Sequence, residues 1–490
     1  MEGGFYAGIL ANTSFPRQSA LPPEYLDGSQ TARLLLHGLA YRVVFAKLCS
    51  PRHVGELNTD KRETSMKPET IALHAGYAGD PATHAATTPI YQTTSYTFDN
   101  TQHGADLFDL KVPGNIYSRI MNPTNDVLEK RMAEMEGGVA ALAVASGMSA
   151  ITYAIQTIAQ AGDNIISTSQ LYGGTYNLFA HTLPRQGIEV RMIPADDFEA
   201  FEAAIDENTR AIFCESIGNP AGNVVDVAKL AEIGHKHGVP LMVDNTVATP
   251  YLCRPFELGA DIVIHSLTKF IGGHGTTIGG IVIDSGQFDW VANKERFPML
   301  NEPDPSYHGV VYTRDIGAAA FIARCRVVPL RNTGAALAPH SAFLLMQGLE
   351  TLGLRMERHC ENALKVAEYL QQHPKVSWVN YAALPNDKYH AICQKTTKGL
   401  ASGILSFGIK GGREAGGQFI DALQMILRLV NIGDAKSLAC HPATTTHRQL
   451  SAEELEKAGV SEDLVRLSVG IEHIDDILAD IEQALEAVKG

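Results

Sequence analysis

The sequence is short of charge, and of positive charge above all. Charged residues make up 19% of its 490 residues, and 40 lysines and arginines stand against 54 aspartates and glutamates, a net charge of -14. A chain this acidic has no general electrostatic footprint for nucleic acid or for an anionic membrane surface. It also lacks any apolar run of the roughly 18 residues that a membrane span requires. We therefore predict neither a nucleic-acid partner nor a membrane partner.

Paired cysteines are also missing. The seven cysteines lie far apart, and no two of them form a Cys-x-x-Cys motif. Such spacing is typical neither of a zinc site nor of a disulfide framework, so we predict reduced thiols, a cytoplasmic protein and no bound metal. What the chain does have is apolar material, at 45% of its residues, which is enough for a large core. Its length corresponds to roughly two or three domains.

The chain divides into four stretches. Residues 1–65 carry no motif, and because Met66 begins a segment typical of a protein start, they are predicted to be a dispensable extension, absent from the natural chain or disordered. Residues 66–125 are rich in Pro, Asn and Thr and are predicted to form an extended arm. Residues 126–350 alternate short β-rich runs with amphipathic helical patterns, which favours a mostly parallel sheet covered on both faces. Residues 351–490 are predicted to form a smaller α+β domain.

The strands of the sheet are predicted from apolar, β-rich runs bounded by turn residues. They are expected over 140–145, 164–168, 188–193, 211–215, 240–244, 261–265 and 280–284. One long helix is predicted over 341–371, and a closing helix over 474–488, because both segments have apolar residues at helical spacing.

Three groups of chemistry-bearing residues come directly after predicted strands. The segment Ser146-Gly147-Met148-Ser149 lies at a strand-to-helix junction, where free backbone N–H groups and the helix dipole can bind a phosphate. Asp244 ends a second strand, and Lys269 follows a third in Ser266-Leu267-Thr268-Lys269. Because ligands of an open α/β sheet bind beyond the carboxyl ends of its strands, all three groups can face one ligand.

Taken singly, each group has an ordinary structural explanation, as a helix cap, a turn-forming aspartate or a solvated lysine. Taken together they fit pyridoxal 5'-phosphate, with Lys269 forming the Schiff base, Asp244 pairing with the ring nitrogen and the helix N-terminus holding the phosphate. Two other classes stay open at this point. One is a colourless nucleotide-binding α/β protein with its phosphate loop at 146–149, and the other is a cofactor-binding protein without catalytic activity.

The segments around these groups resemble the cystathionine γ-synthase-like family of pyridoxal-phosphate enzymes, which act on cysteine and methionine precursors. In chain order they are Tyr117-Ser118-Arg119, Asn122-Pro123-Thr124, Ser146-Gly147-Met148, Leu171-Tyr172-Gly173-Gly174-Thr175, Glu215-Ser216-Ile217-Gly218-Asn219-Pro220, Val243-Asp244-Asn245-Thr246, His265-Ser266-Leu267-Thr268-Lys269, Gly433-Asp434-Ala435-Lys436-Ser437-Leu438 and Arg466-Leu467-Ser468-Val469-Gly470-Ile471-Glu472. The resemblance implies an α/β protein with the PLP-dependent transferase fold type I, similar to aspartate aminotransferase. That fold has a mostly parallel, seven-stranded sheet and a smaller C-terminal α+β domain.

The resemblance also implies roles for single residues. Lys269 matches the lysine that binds the cofactor and moves protons, Asp244 the carboxylate at the ring nitrogen, and Tyr172 the tyrosine stacked on the ring. Further matches are Gly147, Met148, Ser266 and Thr268 for the phosphate, Tyr117 and Arg119 for the phosphate of a neighbouring subunit, and Asn219, Ser437 and Arg466 for the substrate carboxylate. Lys269, Tyr172, Asp244 and Tyr117 are the expected catalytic residues. The implied assembly is a homodimer with shared active sites; a homotetramer is expected, and the sequence leaves the choice between dimer and tetramer open.

Two features separate the branches of the family. Gly173 stands where the γ-lyase branch carries a reactive cysteine, and a longer connection runs over 288–324. Gly173 argues against the γ-lyase branch. The connection, together with Glu215-Ser216-Ile217-Gly218-Asn219-Pro220, resembles the branch that uses O-acetyl-L-homoserine and sulfide, which implies replacement of acetate by sulfide to give L-homocysteine in methionine biosynthesis. Methionine γ-lyase and cystathionine γ-synthase activities are the alternatives. The sequence leaves open the acetyl or succinyl ester and the physiological sulfur donor.

Overall fold

The computed structural model describes residues 66–109, 111–112, 114–445, 448 and 459–489. The extension predicted over 1–65 lies outside the described residues. Across the described ranges, no helix combines the length and apolar character that a bilayer crossing would need. Two β-sheets organise this part of the chain.

The larger sheet has seven strands in the order β1-β7-β6-β5-β4-β2-β3. Their bounds are β1 Ala140–Val144, β2 Asn164–Thr168, β3 Glu189–Ile193, β4 Thr209–Glu215, β5 Leu241–Asp244, β6 Ile262–His265 and β7 Gly280–Asp284. Only β7 runs antiparallel to its neighbours, so the prediction of a mostly parallel sheet is confirmed. Every residue of β2, β6 and β7 is buried, because helices cover both faces of the sheet.

The direction of the strands brings four strand ends to one edge of this sheet. Glu215 pairs with Asp244 across β4 and β5, and Asp244 pairs with Ile264 across β5 and β6. Because β7 is antiparallel to both β1 and β6, Val144 at the end of β1 lies at the same edge as His265. The residues that follow these strands therefore meet beyond one edge, as expected for a ligand site.

Helices fill the connections between strands and the segments around them. Helices before β7 span Pro68–His74, Thr101–Phe108, Pro123–Glu136, Gly147–Ile158, Gly173–Asn177, Leu183–Arg185, Phe198–Ala203, Val227–Lys236 and Thr249–Leu252. Later helices span Pro298–Asn301, Tyr312–Asp315, Ala320–Cys325, Arg331–Thr333, Pro339–Glu350, Leu352–Gln372, His390–Thr397, Gly412–Ala422 and Ile474–Ala487. One-turn segments of tighter or wider helix join several of them.

The single helix predicted over 341–371 is wrong, because the structure has two helices there. They are Pro339–Glu350 and Leu352–Gln372, and they are separated at Thr351. The backbone of Thr351 leaves the helical region, with φ -109° and ψ 12°. Its N–H and its hydroxyl both donate to the Gly348 carbonyl, so a local side-chain bond replaces the helical one.

The smaller sheet has five strands in the order β10-β11-β12-β9-β8. They are β8 Val376–Asn380, β9 Ile404–Ile409, β10 Leu427–Arg428, β11 Leu438–Cys440 and β12 Leu464–Ser468. All of its pairs are antiparallel except β10 with β11. Ile474–Ala487 packs against Gly412–Ala422 and closes this part of the chain.

The segment before the larger sheet exposes apolar side chains. It is joined to itself by an antiparallel bridge between Ser95 and Tyr117. Ile90, Phe98 and Phe108 are each 39–48% exposed. The described chain alone does not cover these side chains, and apolar side chains in this number on one segment are typical of an interface.

Candidate active site

The start of helix Gly147–Ile158 contacts the loop after β6. Ser146 caps this helix, and its hydroxyl accepts from the Ser149 N–H at 3.1 Å. A Cβ added to Gly147 would lie 2.7 Å from the Cβ of Ser266, so only glycine permits this approach. Thr268 is fixed nearby, since its hydroxyl accepts from the Gly279 N–H at 3.0 Å. A helix N-terminus and two hydroxyl-bearing residues thus surround one small space, which suits a phosphate.

Lys269 directly follows Thr268 in this loop. Its Nζ donates to Asn431 Oδ1 at 2.5 Å, so its partner is an uncharged amide. Burial, together with the positive charge of Arg466, lowers the pKa of the Lys269 amine to about 8. A lysine of this kind is partly neutral near physiological pH, and a neutral amine is needed for nucleophilic attack and for proton transfer.

Asp244 faces the same edge from the end of β5. Its Oδ1 accepts from the Thr246 N–H at 3.0 Å. Burial raises the pKa of this carboxyl, and the hydrogen bonds from Thr246 and the nearby His265 only partly oppose the rise. A cation beside Asp244 would favour its ionised form, which makes the position suitable for a protonated ring nitrogen.

The ring of Tyr172 is available for stacking. Tyr172 precedes helix Gly173–Asn177, and 40% of its surface is exposed. A Cβ at Gly174 would lie 2.5 Å from this ring, so the glycine makes room for the ring against the helix start.

Glu215 is a site residue to which the sequence assigned no role. It is 4% exposed, and its two oxygens accept from different backbone groups, the Tyr172 N–H at 2.6 Å and the Asn219 N–H at 3.2 Å. Burial first, and then the neighbouring Asp244, raise the pKa of Glu215 well above its usual range. Two carboxyl groups, one buried and one half-buried, therefore lie at the ends of the paired strands β4 and β5.

Arg466 brings the smaller sheet into the site. It is 2% exposed, and its Nη1 donates to Asn219 Oδ1 at 3.2 Å. Its Nη2 donates to the carbonyls of Val430 and Asn431 at 3.1 and 3.0 Å, while its buried Nε has no partner among the described residues. These partners are neutral oxygens, so this buried guanidinium is well placed to bind an anion.

The structure places Asn431, and not the expected Ser437, in contact with Lys269 and Arg466. The hydroxyl of Ser437 donates to Glu472 at 2.9 Å and accepts from the Gly470 N–H at 2.8 Å, so other parts of the chain hold it. Asn431, which sequence reasoning missed, lies between Lys269 and Arg466 and contacts both. The role expected for Ser437 stays a prediction.

Tyr117 and Arg119 lie together on the exposed arm. The Arg119 guanidinium is 5.4 Å from the centre of the Tyr117 ring, and it donates to the carbonyl of Arg331. Within the described residues, no hydrogen bond or ring contact joins this pair to Gly147 or Ser266. Their expected place at a neighbouring subunit's phosphate therefore also stays a prediction.

The site fits pyridoxal 5'-phosphate on four observations. It offers an anion-binding helix start, an amine of lowered pKa, a carboxyl of raised pKa and an exposed aromatic ring. In the described part of the chain, no group of three His, Cys, Asp or Glu side chains is arranged to hold a metal ion. The fold and this site define a pyridoxal-phosphate-dependent enzyme of fold type I.

Comparison with known proteins narrows this class. The chain belongs to the family of Cys/Met metabolism PLP-dependent enzymes, whose model matches residues 69–486. It is 55% identical to the homocysteine synthase of Schizosaccharomyces pombe, over 85% of this chain and 98% of that protein. It is 53% identical to the O-acetyl-L-homoserine sulfhydrylase of Leptospira meyeri, over 86% and 98% of the two chains.

A solved structure is similar over the same range. It is the O-acetylhomoserine (thiol)-lyase structure from Campylobacter jejuni, which holds a pyridoxyl-lysine monophosphate. The identity is 45%, the TM-score is 0.83, and the match covers 86% of this chain and all of that one. Family membership and fold class are thereby established, and the expectation of pyridoxal phosphate as cofactor is confirmed.

Proposed function

We propose that this enzyme replaces the acetate of O-acetyl-L-homoserine by sulfide, giving L-homocysteine and acetate for methionine biosynthesis. The observation that carries the proposal is Arg466, a buried guanidinium held by neutral oxygens beside Asn219 and beside a lysine amine of lowered pKa. This arrangement suits an α-amino acid, which brings a carboxylate and a Cα proton. The name of the related protein from Leptospira meyeri supports the choice of substrate, and that of the Schizosaccharomyces pombe protein supports the product.

The cofactor is proposed to bind at the shared edge of the strands. The N–H groups of Gly147 and Met148 and the hydroxyls of Ser266 and Thr268 would hold its phosphate. Asp244 would pair with its ring nitrogen, and Tyr172 would stack on the ring. When bound, pyridoxal phosphate supplies an electron sink for negative charge at the substrate Cα.

Arg466 and Asn219 are proposed to bind the substrate carboxylate. Asn219 already accepts from Arg466 Nη1, so the two side chains can face one carboxylate, with the planar guanidinium suited to a two-point contact. Ser437 is kept as a further contact of the same group. Fixing the carboxylate fixes the orientation of the Cα proton toward Lys269.

Lys269 is proposed to carry the protons of the reaction. Because the pKa of its amine is lowered to about 8, it can take a proton and give it back near neutral pH. Its amine would remove the Cα proton and afterwards a proton from Cβ. Acetate leaves from Cγ, and sulfide forms the new bond to that carbon.

An assay with four substrate pairs tests the reaction. Purified protein is given O-acetyl- or O-succinyl-homoserine, each with sulfide or with cysteine, and the products are quantified. We expect homocysteine from the acetyl ester and sulfide, formed much faster than α-ketobutyrate from methionine, and no turnover by Lys269→Ala. Dominant methionine breakdown would instead identify a γ-lyase, and dominant cystathionine formation a cystathionine γ-synthase.

We also propose a homodimer with shared active sites, within a cytoplasmic homotetramer. The exposed apolar side chains of the arm and the pair Tyr117 and Arg119 support it. Mixed dimers of Lys269→Ala and Arg119→Ala should regain activity, because one site then receives both intact residues. If an isolated mixed dimer stays inactive, Arg119 acts within its own subunit.

The division of the chain is part of the same proposal. Residues 126–350 would form the cofactor-binding domain and residues 351–490 the smaller domain. The larger sheet, within residues 140–284, and the smaller sheet, within 376–468, support this boundary.

A further inference from the structure

Glu215 connects two parts of the site that are distant in sequence. One carboxyl oxygen accepts from the Tyr172 N–H and the other from the Asn219 N–H. Tyr172 lies after β2, whereas Asn219 lies in the loop after β4. A single buried side chain thus sets the spacing between the backbone under the stacking ring and the backbone beside the substrate carboxylate.

The hydrogen bonds continue from Asn219 to the lysine. Asn219 Oδ1 accepts from Arg466, Arg466 donates to the Asn431 carbonyl, and Asn431 Oδ1 accepts from Lys269. Glu215 therefore lies within one unbroken series of hydrogen bonds that runs from Tyr172 to Lys269. A change at Glu215 would act directly on the Tyr172 and Asn219 N–H groups, one in each half of the site.

We propose that Glu215 is a positioning residue, which holds Tyr172 against the cofactor and Asn219 against the substrate carboxylate at the same time. The inference rests on the roles proposed above for Tyr172 and Asn219. The ionised carboxylate suits this position, because it offers an acceptor oxygen to each of two N–H groups, and these two hydrogen bonds oppose the rise of its pKa. A glutamine has one acceptor oxygen, and its NH₂ would face one of the two backbone donors.

The competing explanation is that Glu215 only stabilises the local turn. Glu129 provides a matched control, because it is also buried beside the larger sheet and also uses both oxygens. It accepts from the Ala143 N–H at 2.9 Å and from Arg326 Nη2 at 2.5 Å, and neither partner is a site residue named above. A change of Glu129 to glutamine therefore reports the general cost of altering a buried carboxyl in this sheet.

The experiment measures two quantities in Glu215→Gln and in Glu129→Gln. The first is the dissociation constant of pyridoxal phosphate, from a titration of cofactor-free protein followed in the visible range. The second is the KM for O-acetylhomoserine at saturating sulfide. A lost hydrogen bond to a buried carboxyl corresponds to roughly tenfold or more in affinity. We expect Glu215→Gln to raise both the dissociation constant and the KM by that factor, and Glu129→Gln to change neither.

Double variants separate positioning from general damage. In a Tyr172→Ala background, Glu215→Gln should no longer weaken cofactor binding, and in an Asn219→Ala background it should no longer raise the KM. Equal losses in these backgrounds and in the wild type, or wild-type values for Glu215→Gln alone, would overturn the proposal. If Glu215→Gln does not fold, Glu215→Asp takes its place, since its shorter side chain cannot reach both N–H groups.

The proposed function can fail separately from this inference. If Tyr172→Ala alone leaves cofactor affinity unchanged, or Asn219→Ala alone leaves the KM unchanged, the role assigned to that residue is wrong. The effect of Glu215→Gln on the remaining quantity, the KM in the first case and the dissociation constant of the cofactor in the second, then still tests whether Glu215 positions its other partner.

Discussion

The Lys269 amine should titrate far below an ordinary lysine in the cofactor-free protein. Burial and the charge of Arg466 lower its pKa from 10.5 to about 8. At pH 7 a shift of this size raises the neutral fraction of the amine by about 300-fold, from roughly one molecule in 3,000 to one in ten. The neutral amine is the reactive form, so the reaction of Lys269 with an acylating reagent at pH 7 should rise strongly, though by less than this factor, because an amine of lower pKa is also a weaker nucleophile.

Competitive labelling measures this shift without the cofactor reaction. Cofactor-free protein is acetylated briefly at several pH values, and the label at Lys269 is quantified by mass spectrometry relative to the exposed Lys229 in the same sample. We expect labelling of Lys269 to be half-maximal near pH 8 and to reach its plateau above about pH 9. Labelling that still rises above pH 10 would show that burial does not set the pKa of this amine.

Arg466→Met tests the second cause. Loss of the guanidinium removes a positive charge near Lys269, so the midpoint of the labelling curve should move to higher pH. An unchanged midpoint would assign the whole shift to burial. A midpoint that moved to lower pH would contradict the electrostatic reasoning. It would mean that methionine acts mainly by excluding water, which lowers the pKa of the amine further.

Three further predictions concern the cofactor site, the core and the extension. Gly147→Ala should weaken pyridoxal phosphate binding at least tenfold in the same titration, because its Cβ would lie 2.7 Å from the Ser266 Cβ; wild-type affinity would contradict this. Burial raises the pKa of Asp284 to about 7, so folding stability is lost between about pH 4 and 7. Asp284→Asn, which cannot ionise, should therefore exceed wild type above pH 7 by up to roughly 4 kcal/mol in urea unfolding, with no advantage at pH 4. A chain that begins at Met66 should retain activity and solubility, and loss of either would show that residues 1–65 contribute to the enzyme.

Much of the larger sheet could be predicted because its strands carry their own signal. Parallel strands buried on both faces must be apolar throughout, so each becomes a short β-rich run between turn residues. The runs predicted at 164–168 and 280–284 coincide with β2 and β7, and the others differ by one to two residues. Asp244 and Lys269 could be singled out for the same reason, since polar residues directly after such runs lie at the ligand edge.

The prediction of one long helix over 341–371 was wrong because the interruption at Thr351 depends on tertiary contacts. Apolar residues keep their helical spacing through Thr351, and periodicity alone therefore gives one helix. In the structure Gly348 packs against the lysine loop, where an added Cβ would lie 2.2 Å from the Gly272 carbonyl oxygen. Arg355, one turn after the break, donates to the carbonyls of Phe270 and Ile271 in that loop. The break serves a contact about 80 residues away in sequence, which no local pattern reports.

The two missed residues, Glu215 and Asn431, have the same origin, and so has the contact between the expected residues Arg466 and Asn219. Glu215 contacts Tyr172 across 43 residues of sequence, Asn431 contacts Lys269 across 162, and Arg466 contacts Asn219 across 247. The first contact depends on the pairing of β2 with β4, and the other two depend on how the two sheets lie against each other. Asn431 in particular is one asparagine in an exposed-edge segment, and only its distance to Lys269 marks it as part of the site.

The basic and acidic side chains of the site are not paired with each other. Lys269 and Arg466 are held by amide and carbonyl oxygens, and neither has a carboxylate among the hydrogen-bond partners described above. Asp244 and Glu215 lie together at the ends of adjacent strands and accept mainly from backbone N–H groups, with raised pKa values. A buried charge held only by neutral groups costs folding free energy, so pairing the cations with Asp244 and Glu215 would stabilise the empty chain. Their separation instead leaves a positive side for a substrate carboxylate and a negative side for a protonated ring. The site is therefore organised for bound ligands at the expense of the stability of the chain alone.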